Sequence, residues 1–210
     1  MLQLIAAVGF LFLIRFSGGL TTSLFIPFAN VSVYIPEPIY FIFVAFVIVG
    51  TVNSVNITDG VDGLATGVTI PVAVCFAFIA MLWKQEEAGL FAASIAGGLV
   101  AFLFFNFHPA KVFMGDTGSL ALGGFVAAIS ILLKMPLFIL IVALIYLIEV
   151  ISVIIQVVYF KKTRRRFFKM APIHHSFELS GWSETKIVAL FYVTTAILCL
   201  IGYLGGKTVI

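Results

Sequence analysis

Asn53-Ser54-Val55-Asn56-Ile57-Thr58-Asp59-Gly60-Val61-Asp62-Gly63-Leu64-Ala65 is a polar, glycine-rich stretch set between two long apolar runs. It carries two of the chain's three aspartates, and the third, Asp116, lies in a second stretch of the same kind. The surroundings make this concentration unusual, because the 210-residue chain is 62% hydrophobic and 10% charged, with 23 phenylalanines and a mean hydropathy of +1.22. Soluble domains keep their apolar fraction nearer one half. A helix crosses a bilayer with roughly 20 mainly apolar residues, about 17 at the lower end, and several runs here meet or approach that length. The composition therefore describes an integral membrane protein. Cys75 and Cys199 lie in different apolar runs and read as small packing residues rather than a disulfide or a metal site.

The spacing predicts an all-α polytopic bundle forming a single membrane domain over 1–210. Its spans lie at about 2–16, 39–52, 64–83, 89–105, 120–133, 137–160 and 186–203. The first run has no polar leader and no cleavage site, so it is not a secretory signal peptide. A span that opens at Met1 suggests a chain missing something upstream. Residues 23–38, with Pro27, Pro36 and Pro38, predict a short β-hairpin-like element outside the lipid. Pro38 suits the start of the second span. The apolar part of that span is short, so its helix is expected to continue into Asn53 and Asn56.

Lys161, Lys162, Arg164, Arg165, Arg166 and Lys169 form the one dense basic cluster. The positive-inside rule places it in the cytoplasm. Alternation across seven spans then puts residues 53–63, 106–119 and 161–185 on that same face. Asp59, Asp62, Asp116, His108, His174 and His175 all fall there, whereas the opposite loops carry Glu37, Glu86 and Glu87. Clustered Asp, His and Glu mark catalytic or metal sites, so a cytoplasmic site is expected.

Asn53, Asn56, Asp59 and Asp62 recur every third residue, which on a helix makes one slowly drifting stripe. Gly60 and Gly63 admit a close backbone approach. Thr58 or Asp59 can serve as a helix cap, but four aligned amides and carboxylates exceed that need. The ligand spacing of an EF-hand is absent. Gly63 and Gly67 also match the spacing of a helix-packing pair. Asp116, between Gly115 and Gly118, reads either as an N-cap or as a carboxylate for Mg²⁺, which takes one or two carboxylates plus water and phosphate oxygens. Helix N–H groups near Gly118 favour an anion. His174 and His175 lack the cysteine partners of a structural zinc site. They are open to phosphate contact, proton transfer or a plain polar loop role. The basic run reads first as a topology or lipid contact. Glu149, Ser152 and Gln156 form a polar stripe in the sixth span, facing the bundle interior for structural or direct use.

Three motifs carry a resemblance along essentially the whole chain: NSVNITDGVDGLA at 53–65, FNFHPAKVFMGDTGSLALGG at 105–124 and MAPIHHSFELSGWSE at 170–184. The chain resembles the polyprenyl-phosphate N-acetylhexosamine-1-phosphate transferase superfamily and, within it, the phospho-N-acetylmuramoyl-pentapeptide transferase family. The resemblance implies Mg²⁺-dependent transfer of phospho-MurNAc-pentapeptide from UDP-MurNAc-pentapeptide to undecaprenyl phosphate, with release of UMP, in the bacterial cytoplasmic membrane. That step belongs to peptidoglycan synthesis, and so to cell shape and division. It implies Asp116 as Mg²⁺ ligand and Asp59 as a catalytic or substrate-facing carboxylate. Asp62, Asn106 and Phe113 are placed near the nucleoside, with Phe113 stacking on uracil. Asn53, Asn56 and Gly63 fall in the substrate-binding stretch, and His174 and His175 face the donor's phosphates or sugar. The partners implied are the two substrates and the bilayer, with room for a homodimer and no role for nucleic acid. Direct attack and a covalent intermediate both fit, because phosphoryl transfer depends on positioning and charge neutralisation.

The chain departs from the family pattern in two places. It lacks the adjacent Asp-Asp pair that the family carries upstream, and it matches seven of ten family spans, so alone it is expected to be inactive or nearly so. Ser176 stands where the family has a third histidine. The competing readings are a sibling transferase for another UDP-sugar, a transporter and a non-catalytic remnant. Transporters show internal repeats and broken helices near the midplane, and no repeat is visible here.

Overall fold

The computed structural model describes residues 1–29 and 31–207. In chain order the elements are α1 (Leu2–Phe16), β1 (Ser23–Ile26), β2 (Val31–Tyr34), α2 (Glu37–Thr58), α3 (Leu64–Leu82), α4 (Glu86–Asn106) and α5 (Gly115–Leu132). A 3-10 turn (Pro136–Phe138) follows, then α6 (Ile139–Val142), α7 (Leu144–Thr163), α8 (Ile173–Glu178) and α9 (Glu184–Lys207). Six of these, α2, α3, α4, α5, α7 and α9, are long and apolar enough to cross a membrane, and α1 is a shorter apolar helix. The protein is a polytopic helical membrane protein. The expected seven spans correspond to these six helices together with the 15-residue α1.

α2 shows how a 14-residue apolar run becomes a span. With Pro36 at its N-cap and Pro38 in its first turn, the helix runs 22 residues and takes in Asn53 and Asn56. At 1.5 Å per residue that is about 33 Å, enough for a hydrocarbon layer of about 30 Å. α3 is the central helix and the most enclosed of the six. α4 and α9 pack against it, while α5 packs on α2. A second apolar cluster, built from Ala7, Leu11, Tyr40, Val44, Ile48 and Ala127 among others, fastens α1 to α2 and α5.

Glycines set two close crossings, as is usual where helices meet in lipid and small residues admit close van der Waals approach. On α5, a Cβ added at Gly123 would stand 2.5 Å from the Cα of Val52, so α5 lies directly against the backbone of α2. On α3, a Cβ at Gly67 would fall 1.4 Å from the ring of Tyr192 in α9. The Tyr192 hydroxyl donates to the carbonyl of Gly63 at 2.6 Å. The spacing of Gly63 and Gly67 thus serves the seat of one tyrosine.

β1 and β2 pair antiparallel with Ser23 opposite Tyr34 and Ile26 opposite Val31. The hairpin docks at one end of the bundle, where the Phe25 amide donates to the Lys134 carbonyl and the Phe25 ring meets Trp83 edge-on. The Arg15–Glu37 ion pair, at 2.7 Å, lies near the same end. The polar segments 59–63, 107–114 and 164–183 lie at the opposite end.

The stretch 137–160, expected as one span, folds in pieces: the 3-10 turn, the four-residue α6, a break at Ala143 (φ −108°, ψ 21°) and α7. Neither glycine nor an internal proline marks this break, so the pattern of apolar residues conceals it. The cause lies in packing. Gly202 of α9 admits Val142 and Phe138 so closely that a Cβ there would come within 2.9 Å of both. α6 is thereby held on α9.

Candidate active site

α2 ends where its side chains turn back on the backbone. The Thr58 hydroxyl donates to the Ser54 carbonyl at 2.8 Å, and the Asp59 amide closes a tight turn on the Asn56 carbonyl. Asp59 leaves the helical region (φ −80°, ψ 38°), and Gly63 (φ +75°) caps α3 in the left-handed conformation that favours glycine. The expected stripe is therefore interrupted. Asn53 and Asn56 lie on the helix, and Asp59 and Asp62 sit in the turn that follows.

The Gly123 crossing brings the start of α5 beside the end of α2. Asn56 Nδ2 donates to Asp116 Oδ1 at 3.0 Å and to Ser119 Oγ at 2.9 Å. Asp116 lies within the first turn of α5 and makes no cap hydrogen bond, so the N-cap reading does not apply. The loop between α4 and α5 is tied down twice. Asn106 is buried, accepting from Thr66 Oγ1 at 2.6 Å and donating to the Val112 carbonyl at 3.0 Å. Asp62 Oδ2 accepts from the Ala110 amide at 2.9 Å and stands 3.3 Å from His108 Nδ1, which is 3.0 Å from Glu184 Oε2 of α9.

These ties enclose an open cleft of about 290 Å³ lined by Asn56, Asp59, Gly60, Val61, Asp62, Asn106, Phe113, Met114, Gly115 and Asp116. Phe113 stands at its rim with 75% of its surface exposed, which core packing does not explain. Asp59 lies beyond the membrane-spanning part of α2. Burial, and then the facing Asp116 carboxylate, push its pKa up to about 6. Two carboxylates that face one another across a cleft are a natural seat for a hard divalent cation, which takes oxygen ligands. The amide of Asn56 orients Asp116 while leaving its second oxygen to the cleft. Asp62, His108 and Glu184 form another grouping with metal-ligand chemistry, in which the imidazole already bridges the two acids.

Of the residues picked out by sequence, the structure gathers Asn56, Asp59, Asp62, Asn106, Phe113 and Asp116 around one cleft. It does not bring Asn53 there, because Asn53 Nδ2 donates to Gln3 Oε1 of α1 at 2.8 Å and to the Val49 carbonyl. Gly63 faces Asn106, Leu103 and Tyr192. His174 is fully buried, with Nδ1 3.1 Å from Glu149 Oε2. His175 pairs with Glu178 through Nδ1 at 2.5 Å and lies against the His174 ring. Ser176 bonds the amide and carbonyl of Met170, and Gln156 accepts from the Phe167 and Phe168 amides. The polar stripe of α7 thus docks the segment that follows it. Sequence reasoning missed Ser119, Met114 and Glu184. Their polar or flexible character was visible, but nothing local marks which helix end each one meets.

The three aspartates of this helical membrane protein thus line one cleft at one end of the bundle. The chain belongs to glycosyl transferase family 4, whose sequence model matches residues 1–134. It is 50% identical over 207 residues to the phospho-N-acetylmuramoyl-pentapeptide-transferase of Clostridium acetobutylicum, covering 98% of this chain and 64% of that protein. Proteins of the same name from Acetivibrio thermocellus and Caldanaerobacter subterraneus are 52% and 50% identical over 87% of this chain and 56% and 57% of their own lengths. The chain thus spans less than two thirds of the length of these relatives.

Proposed function

We propose that the cleft takes part in transferring phospho-MurNAc-pentapeptide from UDP-MurNAc-pentapeptide to undecaprenyl phosphate, releasing UMP at the cytoplasmic face of the bacterial cytoplasmic membrane. The observation that carries this reading is the facing pair Asp59 and Asp116 beside an exposed aromatic ring, at one end of a membrane bundle. The name shared by relatives at about 50% identity favours this donor over other UDP-sugars. In the net exchange, an oxygen of the carrier's phosphate bonds to the phosphorus next to the sugar. The bond from that phosphorus to the bridging oxygen breaks, and UMP leaves.

The chain's own residues supply position and charge. Phe113 offers its open face to the uracil ring, and Asp62 stands near the nucleoside while it pins the loop that carries Phe113. Asn56 keeps Asp116 aimed at the cleft. Asp59 faces the reacting phosphates and exchanges a proton near neutrality, the range in which a carboxylate is useful as a base. Asp116 and Asp59 would hold Mg²⁺, which would supply neutralisation of the diphosphate charge.

The test is UMP release from the two purified substrates. It is run with the 210-residue chain and with this chain joined to the remaining segment of its Clostridium acetobutylicum relative. Turnover in the joined protein that requires Mg²⁺ and MurNAc-pentapeptide is the expected result. Equal or better use of UDP-N-acetylglucosamine would overturn the donor assignment.

The raised pKa of Asp59 yields a second expectation. A raised value means the protonated carboxyl is favoured by folding, so that contribution is complete below 3.8 and is lost as pH rises through about 6. A cation between the carboxylates removes the penalty. Mg²⁺ is therefore expected to raise the melting temperature little at about pH 5 and clearly at about pH 7.5. Thermal unfolding in detergent reads this directly, and Asp59→Asn should flatten the difference.

A further inference from the structure

Glu149 is a carboxylate on a membrane-spanning helix, fully buried, and it is not among the residues that line the cleft. Its carboxylate faces His174, also fully buried, with Nδ1 3.1 Å from Oε2. The two groups stand at ion-pair distance without the alignment of a hydrogen bond. Neither Glu149 Oε1 nor His174 Nε2 has a hydrogen-bond partner among the described residues. A buried carboxylate or imidazole left alone is costly, and a facing pair is tolerated because each offsets the other. What this pair holds in place is visible on the far side of the ring. A Cβ added at Gly60 would lie 2.5 Å from His174 Nε2 and 3.0 Å from Cε1. The imidazole edge is thus pressed against the backbone of the residue that follows Asp59 and precedes Asp62 by two.

We propose that Glu149 is a positioning residue for the cleft: by fixing the His174 ring beneath Gly60, it sets where the Asp59–Asp62 turn stands relative to Asp116. The proposal rests on the reading of that cleft as the transfer site. The rest of the stripe on α7 serves the same placement. The Ser152 hydroxyl donates to the Glu149 carbonyl at 2.6 Å. Gln156 grips the chain at Phe167 and Phe168 as it leaves α7, before it returns to present His174. Three polar residues on one helix therefore determine where the histidine segment lands, and Gly60 leaves room for nothing between ring and turn. Removing the carboxylate frees the ring to rotate, and the turn loses its floor although no residue in contact with substrate has changed.

The experiment uses the full chain in lipid nanodiscs, labelled with ¹⁵N at histidine and at the backbone. Glu149→Gln keeps the shape and removes the charge. It is expected to move the His174 ring nitrogens and, with them, the amide resonances of Asp59, Gly60 and Asp62. Thr195→Val, at a buried threonine of α9 bonded only within its own helix, controls for general loss of packing and should leave those amides in place. Gly60→Ala approaches from the other side and should move the His174 ring signals with Glu149 intact, which also covers the case in which Glu149→Gln does not fold. Where UMP release is measurable, Glu149→Gln should lower kcat at least tenfold with KM for the donor changed less than about twofold. Unmoved Asp59–Asp62 amides in Glu149→Gln, or unmoved His174 signals in Gly60→Ala, overturn the proposal. If no form of the protein releases UMP, the transfer reading fails while the resonances still decide the role of Glu149.

Discussion

Asp116→Asn should cut Mg²⁺-dependent UMP release by about a hundredfold to a thousandfold, the range seen when one preorganised charge-stabilising group is removed. The fold should survive the change. Asparagine has the same shape, its carbonyl still accepts from Asn56 Nδ2, and Asp116 is exposed and lies outside both apolar clusters. The loss should fall on kcat rather than on donor KM, because Phe113 and Asp62 are untouched. A second signature separates this from unfolding. Without the Asp116 charge facing it, Asp59 should titrate closer to the ordinary carboxylate range. Full turnover in Asp116→Asn would remove Asp116 from the proposed metal set.

The largest stability effect is expected at a position with no chemistry of its own. Gly67→Ala adds one methyl, but that methyl would fall 1.4 Å from Tyr192 Cζ and 1.7 Å from its hydroxyl oxygen. Tyr192 must leave its seat, and with it goes the 2.6 Å hydrogen bond to the Gly63 carbonyl. Overpacking costs about 1–3 kcal/mol and the lost hydrogen bond about 1 more, so a destabilisation of about 3 kcal/mol is expected. Denaturant or thermal unfolding in detergent measures it. Tyr192→Phe loses the hydrogen bond but keeps the ring, and should cost about 1 kcal/mol. If the two variants cost the same, steric exclusion at Gly67 is not what joins α3 to α9.

Much of this architecture is legible in the chain because apolar length and turn chemistry are local properties. The hairpin follows from its prolines and β-branched residues, and the extension of α2 through Asn56 follows from the length a bilayer demands. The turn at Asp59–Gly63 was visible as a polar stretch, and its aspartates do share a cleft with Asp116. What the chain conceals are decisions made between helices. Asn53 and Asn56 look alike in sequence, yet one turn of helix aims the first at Gln3 and the second at Asp116. The pairing of Glu149 with His174 spans a loop whose path depends on Gln156, so no spacing rule connects them. The break at Ala143 depends on a glycine in another helix, and the sequence around it reads as an unbroken span.

The contact between Gly123 and Val52 has a mechanical consequence. It acts as a pivot, and on α2 the distance from that pivot to Asn56 is one helical turn, about 6 Å. With so short a lever arm, a rotation of about 10° at the crossing displaces Asn56 by only about 1 Å relative to α5. A displacement of that size is nevertheless enough to cost about a hundredfold in a reaction that depends on alignment. Because backbone meets backbone at this point, the fulcrum has no side chain to deform under lateral load from the bilayer.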